Sequence, residues 1–175
     1  MARLIKDGAV REDGWVHLAD DAPPPAEGDV IVPLARWRRE RATLARRNGG
    51  IGVRLGPADP AAAIAGDLAR LAVVALEFGT FKDGRAFSQA ALLRRRYNYA
   101  GEIRAVGDVQ RDQIFFMRRC GIDAFELRPD RSAEDALAAF GEFSVTYQAA
   151  PDDPRPLYRR ASRGAAPAKP NGSAS

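Results

Sequence analysis

Short apolar runs rich in β-branched residues alternate along this chain with stretches of helical periodicity, and that alternation limits the fold more than any other feature. Val30 to Val32 reads as a strand. Leu34 to Arg47 follows as a helix with Leu34, Trp37 and Leu44 on one stripe, stopped by Asn48-Gly49-Gly50. Ile51 to Leu55 is the next strand. Asp59-Pro60 then looks like a cap followed by proline at the first helical position, with Ile64, Leu68 and Leu71 at the spacing of a buried helix face. Val73 to Phe78 is a strand, apolar up to Glu77, and a helix from about Ala86 to Tyr97 succeeds it. Glu102 to Val106 is a strand, Asp108 is placed to cap a helix from Val109 to Arg119, and Ala124 to Leu127 is another strand. Ser132 opens a last helix to about Gly141, and Phe143 to Gln148 reads as a final strand.

Consecutive βα units with short connections imply an α/β domain whose sheet of five to six strands is mostly parallel, with right-handed crossovers. Two architectures fit. The first is an open sheet with helices on both faces, a three-layer sandwich. The second is a curved, sequentially ordered sheet, a truncated (βα) barrel. In both, ligands gather at the C-terminal ends of the strands. The domain is expected over residues 29–150. Residues 1–28 precede it as a peripheral antiparallel pair from Arg3 to Leu18, with Asp13-Gly14 as the hairpin signal, and a rigid Pro-rich linker from Ala22 to Gly28. Residues 151–175 form a Pro-rich polar tail, and Pro167 to Ser175 has the composition of a disordered end.

Composition removes several classes of function. The chain of 175 residues suits one domain with a sizeable core. Its one cysteine, Cys120, and one histidine, His17, cannot make an internal disulfide, a structural zinc site or an Fe–S cluster. No metal and no cofactor is expected. Gly50-Ile51-Gly52 precedes a strand, whereas a dinucleotide loop follows one, and no phosphate-binding P-loop pattern exists. No apolar run is long enough to span a membrane, and Met1 to Val16 lacks a secretory core, so a cytoplasmic protein is expected.

The formal net charge is +4, and the arginines cluster. Arg36, Arg38, Arg39, Arg41, Arg46 and Arg47 share one helix, and Arg94, Arg95 and Arg96 end another. The plain reading is solvated helix faces, and the next is a docking surface for an acidic protein. Charge without stacking aromatics or a recognition helix argues against nucleic acid.

The stretch from Glu77 to Arg128 holds the residues that carry chemistry. At the first strand-to-helix junction, Lys82, Asp83, Arg85 and Ser88 would form an anion site, because a helix N-terminus offers free N–H groups and Arg grips two oxygens at once. Asp83 as a cap with Arg85 as its solvated neighbour explains the same residues. At the second junction stand Asp108, Asp112 and Gln113. Paired carboxylates there suit Mg²⁺ or acid–base work, and capping accounts for them equally well. Glu77 ends a strand, where barrels keep catalytic carboxylates, so Asp108 and Glu77 are the catalytic candidates. Glu77 could equally pair with Arg85 or Arg104. Cys120 sits at a helix C-terminus, where the dipole disfavours a thiolate, and reads as structural. His17 lies in the peripheral hairpin with no Ser or Cys beside it.

The segments DGRAFSQAALLRRR, GEIRAVGDVQRDQIFFMRRCG and IDAFELR resemble a bacterial family known as a domain of unknown function. Its members are commonly named as oxidoreductases of sulfite reduction, and their genes lie beside those for assimilatory sulfite reductase and phosphoadenylyl-sulfate reductase. The resemblance spans Asp29 to Gln148 and is strongest from Phe78 to Arg128. Asp83, Gly84, Arg85, Ser88, Gly101, Glu102, Arg104, Gly107, Asp108, Asp112, Gln113 and Arg119 fall on its motif positions. Asn98-Tyr99 stands where the family usually has Gly-Tyr. The resemblance implies a role in sulfite and sulfate assimilation. Two expectations follow. One is an accessory protein without a cofactor, docking on sulfite reductase or phosphoadenylyl-sulfate reductase. The other is a small enzyme acting on an anionic sulfur compound at the C-terminal ends of the strands.

Overall fold

The computed structural model describes residues 3–79, 83–128, 132 and 136–137. The expected tail, most of the helix after Ser132 and the expected strand from Phe143 to Gln148 lie outside the described residues. The strands are β1 (Arg3–Lys6), β2 (Ala9–Glu12), β3 (Val16–His17), β4 (Val30–Pro33), β5 (Ile51–Leu55), β6 (Val73–Phe78), β7 (Glu102–Gly107) and β8 (Ala124–Leu127). The helices are α1 (Leu34–Leu44), α2 (Arg85–Arg95) and α3 (Arg111–Arg119).

The α/β class holds, but the expected sheet of five to six mostly parallel strands does not. The sheet is mixed and has eight strands, in the order β2-β1-β8-β7-β6-β5-β4-β3. From β3 to β8 every neighbour pairs in parallel and in chain order. β1 then pairs antiparallel with β8, and β2 antiparallel with β1. Strand order never reverses along the parallel run, so there is no switch point of the kind that splits an open doubly wound sheet.

The sheet is also curled. Five strand spacings of about 4.8 Å would hold β3 roughly 24 Å from β8 in a flat sheet. Yet His17 Nε2 of β3 lies 2.8 Å from Glu126 Oε2 of β8. The curl brings the first and last parallel strands face to face through their side chains.

The N-terminal segment is therefore part of the sheet, not a peripheral hairpin. Its turn is Asp7-Gly8, both residues at positive φ (54° and 70°), and not Asp13-Gly14. Two left-handed residues in a two-residue loop match the twist of the flanking strands. Asp13 instead turns its own backbone: its Oδ1 accepts the Trp15 N–H at 3.2 Å, so the second Asp-Gly pair redirects the chain toward β3.

Outward-facing strand residues meet the helices. Val32, Val53, Leu55, Val74, Leu76 and Ile103 are all fully buried in one continuous core with Trp37, Leu93 and Ile114 of the helices. Trp37 donates to Asp67 Oδ2 at 2.9 Å, and Arg41 pairs with the same carboxylate. The segment after β5 is two short 3₁₀ turns, Ala61–Ile64 and Leu68–Arg70, not the expected α-helix. Asp59 spends its carboxylate on the Gly56 N–H at 2.8 Å instead of capping. Ile64, Leu68 and Leu71 are buried as the spacing implied.

Arginines on α1 and just after it fasten the segment that precedes the helix, and Arg36 is the buried one among them. Arg36, only 3% exposed, donates to the carbonyls of Ala19 and Ala22 at 2.6 Å each and to Glu40 at 3.0 Å. Arg39 binds the Asp20 carbonyl, and Arg47 binds that of Gly28. They hold the linker against the helix, because its carbonyls have no sheet partner to satisfy them.

Candidate functional site

The inward face of the curled sheet carries charge at successive strands. Register places Gly52, Val73 and Glu102 side by side, then Arg54, Ala75, Arg104 and Ala124, with Glu77 beside Val106. Ile31, Val73, Ala75 and Val106 form a small inner apolar cluster, and Trp15 packs on it. Arg104 sits at the centre, fully buried, with its guanidinium 5.9 Å from the Trp15 ring centroid. A cation over an indole face is favourable, the more so away from water.

Arg104 is paired on two sides. Nε donates to Glu102 Oε1 at 2.8 Å, and one terminal nitrogen donates to Asp13 Oδ2 at 2.6 Å. The same nitrogen stands 3.7 Å from Glu126 Oε2. Lys6 of β1 holds the other oxygen of Glu102 at 2.8 Å. The Glu102 bond chiefly raises the Lys6 amine, against the smaller opposing effect of its burial. Two cations thus face three carboxylates, Asp13, Glu102 and Glu126, and His17 stands against the third.

Glu126 is the member that reaches outward, with its side chain 19% exposed. Burial pushes its carboxyl up, but the His17 hydrogen bond and the charges of His17 and Arg104 outweigh this and leave it below the usual glutamate range. Its Oε2 is shared by His17 and Arg104. Glu126 lines a hollow of about 470 Å³ at the C-terminal ends of β6, β7 and β8, together with Glu77, Asp108 and Arg128. Gly107 gives that rim its shape. Its φ is +90°, and a Cβ there would lie 2.5 Å from the Phe78 carbonyl oxygen. The absence of a side chain lets β7 press on the end of β6, where the Asp108 N–H donates to the Phe78 carbonyl at 2.8 Å.

The two catalytic candidates of the sequence, Glu77 and Asp108, come together in this hollow. Glu77 lies 3.7 Å from Arg54 rather than pairing with Arg85 or Arg104. Asp108 accepts from the Gln110 side chain at 3.1 Å, and Gln110 occupies the capping position of α3. The anion-site candidates lie elsewhere. Asp83 and Arg85 grip each other in a two-pronged pair at 2.9 and 2.7 Å at the exposed start of α2. Hydrogen bonds from the Arg85 side chain and backbone bring the Asp83 carboxyl down to about 2. That fork, which was to receive an anion, holds a carboxylate of its own chain. Ser88 is exposed on α2, Asp112 is exposed in the first turn of α3, and Gln113 is half-buried beside it. Lys82 lies outside the described residues. Cys120 is half-buried against the core.

Asp13, Trp15, His17 and Glu126 were not singled out as site residues from the sequence. One signal was present: each of β5 to β8 carries a charged residue within an otherwise apolar run, Arg54, Glu77, Arg104 and Glu126 in turn. Such residues cannot all face helices.

A second, larger cleft of about 690 Å³ lies at the opposite end, near the N-terminal ends of β7 and β8. Lys6, Arg94, Arg95 and Arg118 line it, with Asp7 and Asp123. Arg94 is occupied there by Asp123 at 2.6 Å and by the carbonyls of Tyr99, Gly101 and Gly121. Among the described residues, no three His, Cys, Asp or Glu side chains converge as a metal-binding set. No helix among them is long and apolar enough to cross a membrane.

Fold and site together define a small α/β protein whose curled mixed sheet encloses a charged interior. The family described as "Bacterial protein of unknown function (DUF934)" matches residues 52–158, more than half of the chain, and the protein belongs to that family. The match takes in Glu77, Glu102, Arg104, Asp108 and Glu126, whereas Asp13, Trp15 and His17 precede it. No curated protein matches the chain.

Proposed function

We propose that this protein is a small enzyme that moves protons at the C-terminal mouth of its curled sheet, with Glu126 as the base and His17 as its proton partner. One observation carries the reading: the 2.8 Å bond between the chain's single histidine and a carboxylate that lines the hollow, with a buried arginine behind it. In this reading Glu126, held ionised, takes a proton from an N–H or O–H group of the substrate. His17 exchanges that proton through Nε2 and returns it to the product. Glu77 and Asp108 accept hydrogen bonds from the same molecule. Three carboxylates facing Arg128 favour a substrate bearing donors and disfavour a bare sulfite-like anion. The setting of sulfite and sulfate assimilation is supported by the resemblance of the sequence alone.

A second reading keeps the protein as an accessory of sulfite reduction that docks on sulfite reductase or phosphoadenylyl-sulfate reductase. The cleft bearing Arg95 and Arg118 favours it, since its cations outnumber its carboxylates. Growth of a deletion strain on sulfate, sulfite, sulfide or cysteine tests both. The enzyme reading expects Glu126→Gln and His17→Gln to fail in complementation while Arg95→Glu with Arg118→Glu succeeds. The reverse pattern favours docking. Equal growth of the deletion strain on every sulfur source removes the sulfur setting.

A further inference from the structure

We infer that Arg104 is the positioning residue of this site, a buried cation that holds Glu126 as a carboxylate and keeps it turned toward His17. The inference rests on the proton-transfer reading above and deepens it by naming what controls the pair from inside the sheet.

The geometry is specific. Arg104 is fully buried, and among the residues of β7 it alone projects a long cation into the curl. A guanidinium is always charged, so its burial is tolerated only with carboxylates at close range. Two are supplied at hydrogen-bond distance, Asp13 and Glu102, and these neutralise most of it. Glu126 takes a third position, 3.7 Å from the terminal nitrogen that Asp13 binds. At that distance Glu126 feels the charge without being locked to it, so it remains available to His17 and to a molecule in the hollow. The guanidinium plane is itself fixed by the Trp15 ring. Asp13, Trp15 and His17 come from a single short segment, so one piece of chain aims the arginine, supports it and supplies the histidine.

The other charges around Glu126 are accounted for. His17 faces it from β3, while Glu77, Asp108 and Arg128 share the hollow with it. Lys6 from β1 acts on Glu102, one step further away. Its neighbour on β1 by register is Leu4, which is apolar. Of the two basic partners of Glu126 described above, His17 and Arg104, Arg104 is the one whose charge is permanent, and removing it is expected to raise the proton affinity of Glu126.

The test is a carbon-13 NMR titration of the glutamate carboxyls, read together with the nitrogen-15 signals of the ring of His17, which are unambiguous because the chain has one histidine. In Arg104→Gln the Glu126 midpoint is expected to rise by about one pH unit, a tenfold change in proton affinity, as when a carboxylate loses an adjacent guanidinium. Arg104→Lys keeps the charge and is expected to restore most of the difference. Should Arg104→Gln fail to fold, the paired change Arg104→Gln with Asp13→Asn removes the cation and one of its carboxylates together, leaving Glu102 to Lys6, and a smaller rise in the same direction is expected because loss of the Asp13 charge offsets part of it. A merely structural arginine would lower thermal stability yet leave the Glu126 midpoint and the His17 ring signals of the folded protein where they were, and that result would overturn the inference. Loss of the enzyme reading is seen separately. If Glu126→Gln complements the deletion strain while the titration still responds to Arg104, the coupling stands and the proposed reaction falls.

Discussion

The two faces of the curled sheet follow opposite rules although the same strands make both. On the outer face Val53, Val74, Leu76 and Ile103 meet helices, and water is excluded by apolar contact. On the inner face Arg54, Glu77, Glu102, Arg104 and Glu126 alternate with them along the chain; at its centre Arg104, Asp13 and Glu102 are buried by satisfying one another, while Arg54 and Glu77 stand partly in water. The outer face can vary in detail at modest cost, since any well-packed apolar residue serves. The inner face depends on partners, and a change at one member leaves another buried and unpaired. Apolar packing thus supports one side of each strand, while paired charges support the other and carry the candidate chemistry.

That contrast can be broken most directly at Arg104. Arg104→Ala leaves buried Asp13 without its cation and Glu102 with Lys6 alone, and is expected to cost about 3–5 kcal/mol in urea unfolding. Leu76→Ala on the outer face is expected to cost about 2–5 kcal/mol through the cavity it leaves, yet to complement growth at permissive temperature. If Leu76→Ala abolishes complementation at a temperature where it remains folded, the division between the faces is wrong.

A smaller effect sharpens the contrast through pH. Because the folded protein holds Glu126 below its ordinary value, its contribution to stability is present above the ordinary glutamate midpoint and is lost as pH falls through the folded one. Glu126→Gln is therefore expected to lower the neutral plateau and flatten the acid limb of stability against pH, so that the two proteins converge at low pH. An unchanged acid limb would count against the pairing with His17 and Arg104.

The smallest effect belongs to the exposed start of α2. Asp83→Asn or Arg85→Ala removes a pair that stands in water, and the urea midpoint is expected to stay within error. A large loss of complementation from either change would return the anion site at that helix to consideration.

How far the sequence could be read follows the same division. The outer face was legible: β4, β6 and β8 lie where the β-branched and apolar runs stand, and α2 and α3 start within two residues of their expected positions. Helix periodicity and apolar runs report contacts with neighbouring layers, and those contacts are local in the pattern. The curl was not legible, because it is set by contacts between distant segments. Asp13-Gly14 looked like a hairpin turn, and only the position of Arg104 gives Asp13 another use. His17 looked isolated because Glu126 lies so far along the chain. The charges inside β5 to β8 carried the missing information, since an open sheet covered on both sides would leave them against apolar helices. Glu77 was singled out by its place at a strand end and Asp108, with Asp112, by its place at a helix start, and strand-to-helix junctions gather on one rim in curved and flat parallel sheets alike.

The contacts that close the curl join residues 91 and 109 positions apart in the chain. During synthesis the segment from Asp13 to His17 leaves the ribosome long before Arg104 and Glu126 exist to receive it. Its strand β3 can pair with β4 early, but the side chains of Asp13 and His17 meet their partners across the curl only once β7 and β8 are in place. Loop closure over such separations is slow compared with the pairing of successive strands. Closure of the curl is therefore expected late in folding, and the charged interior is complete only when nearly all of the described sheet has been made.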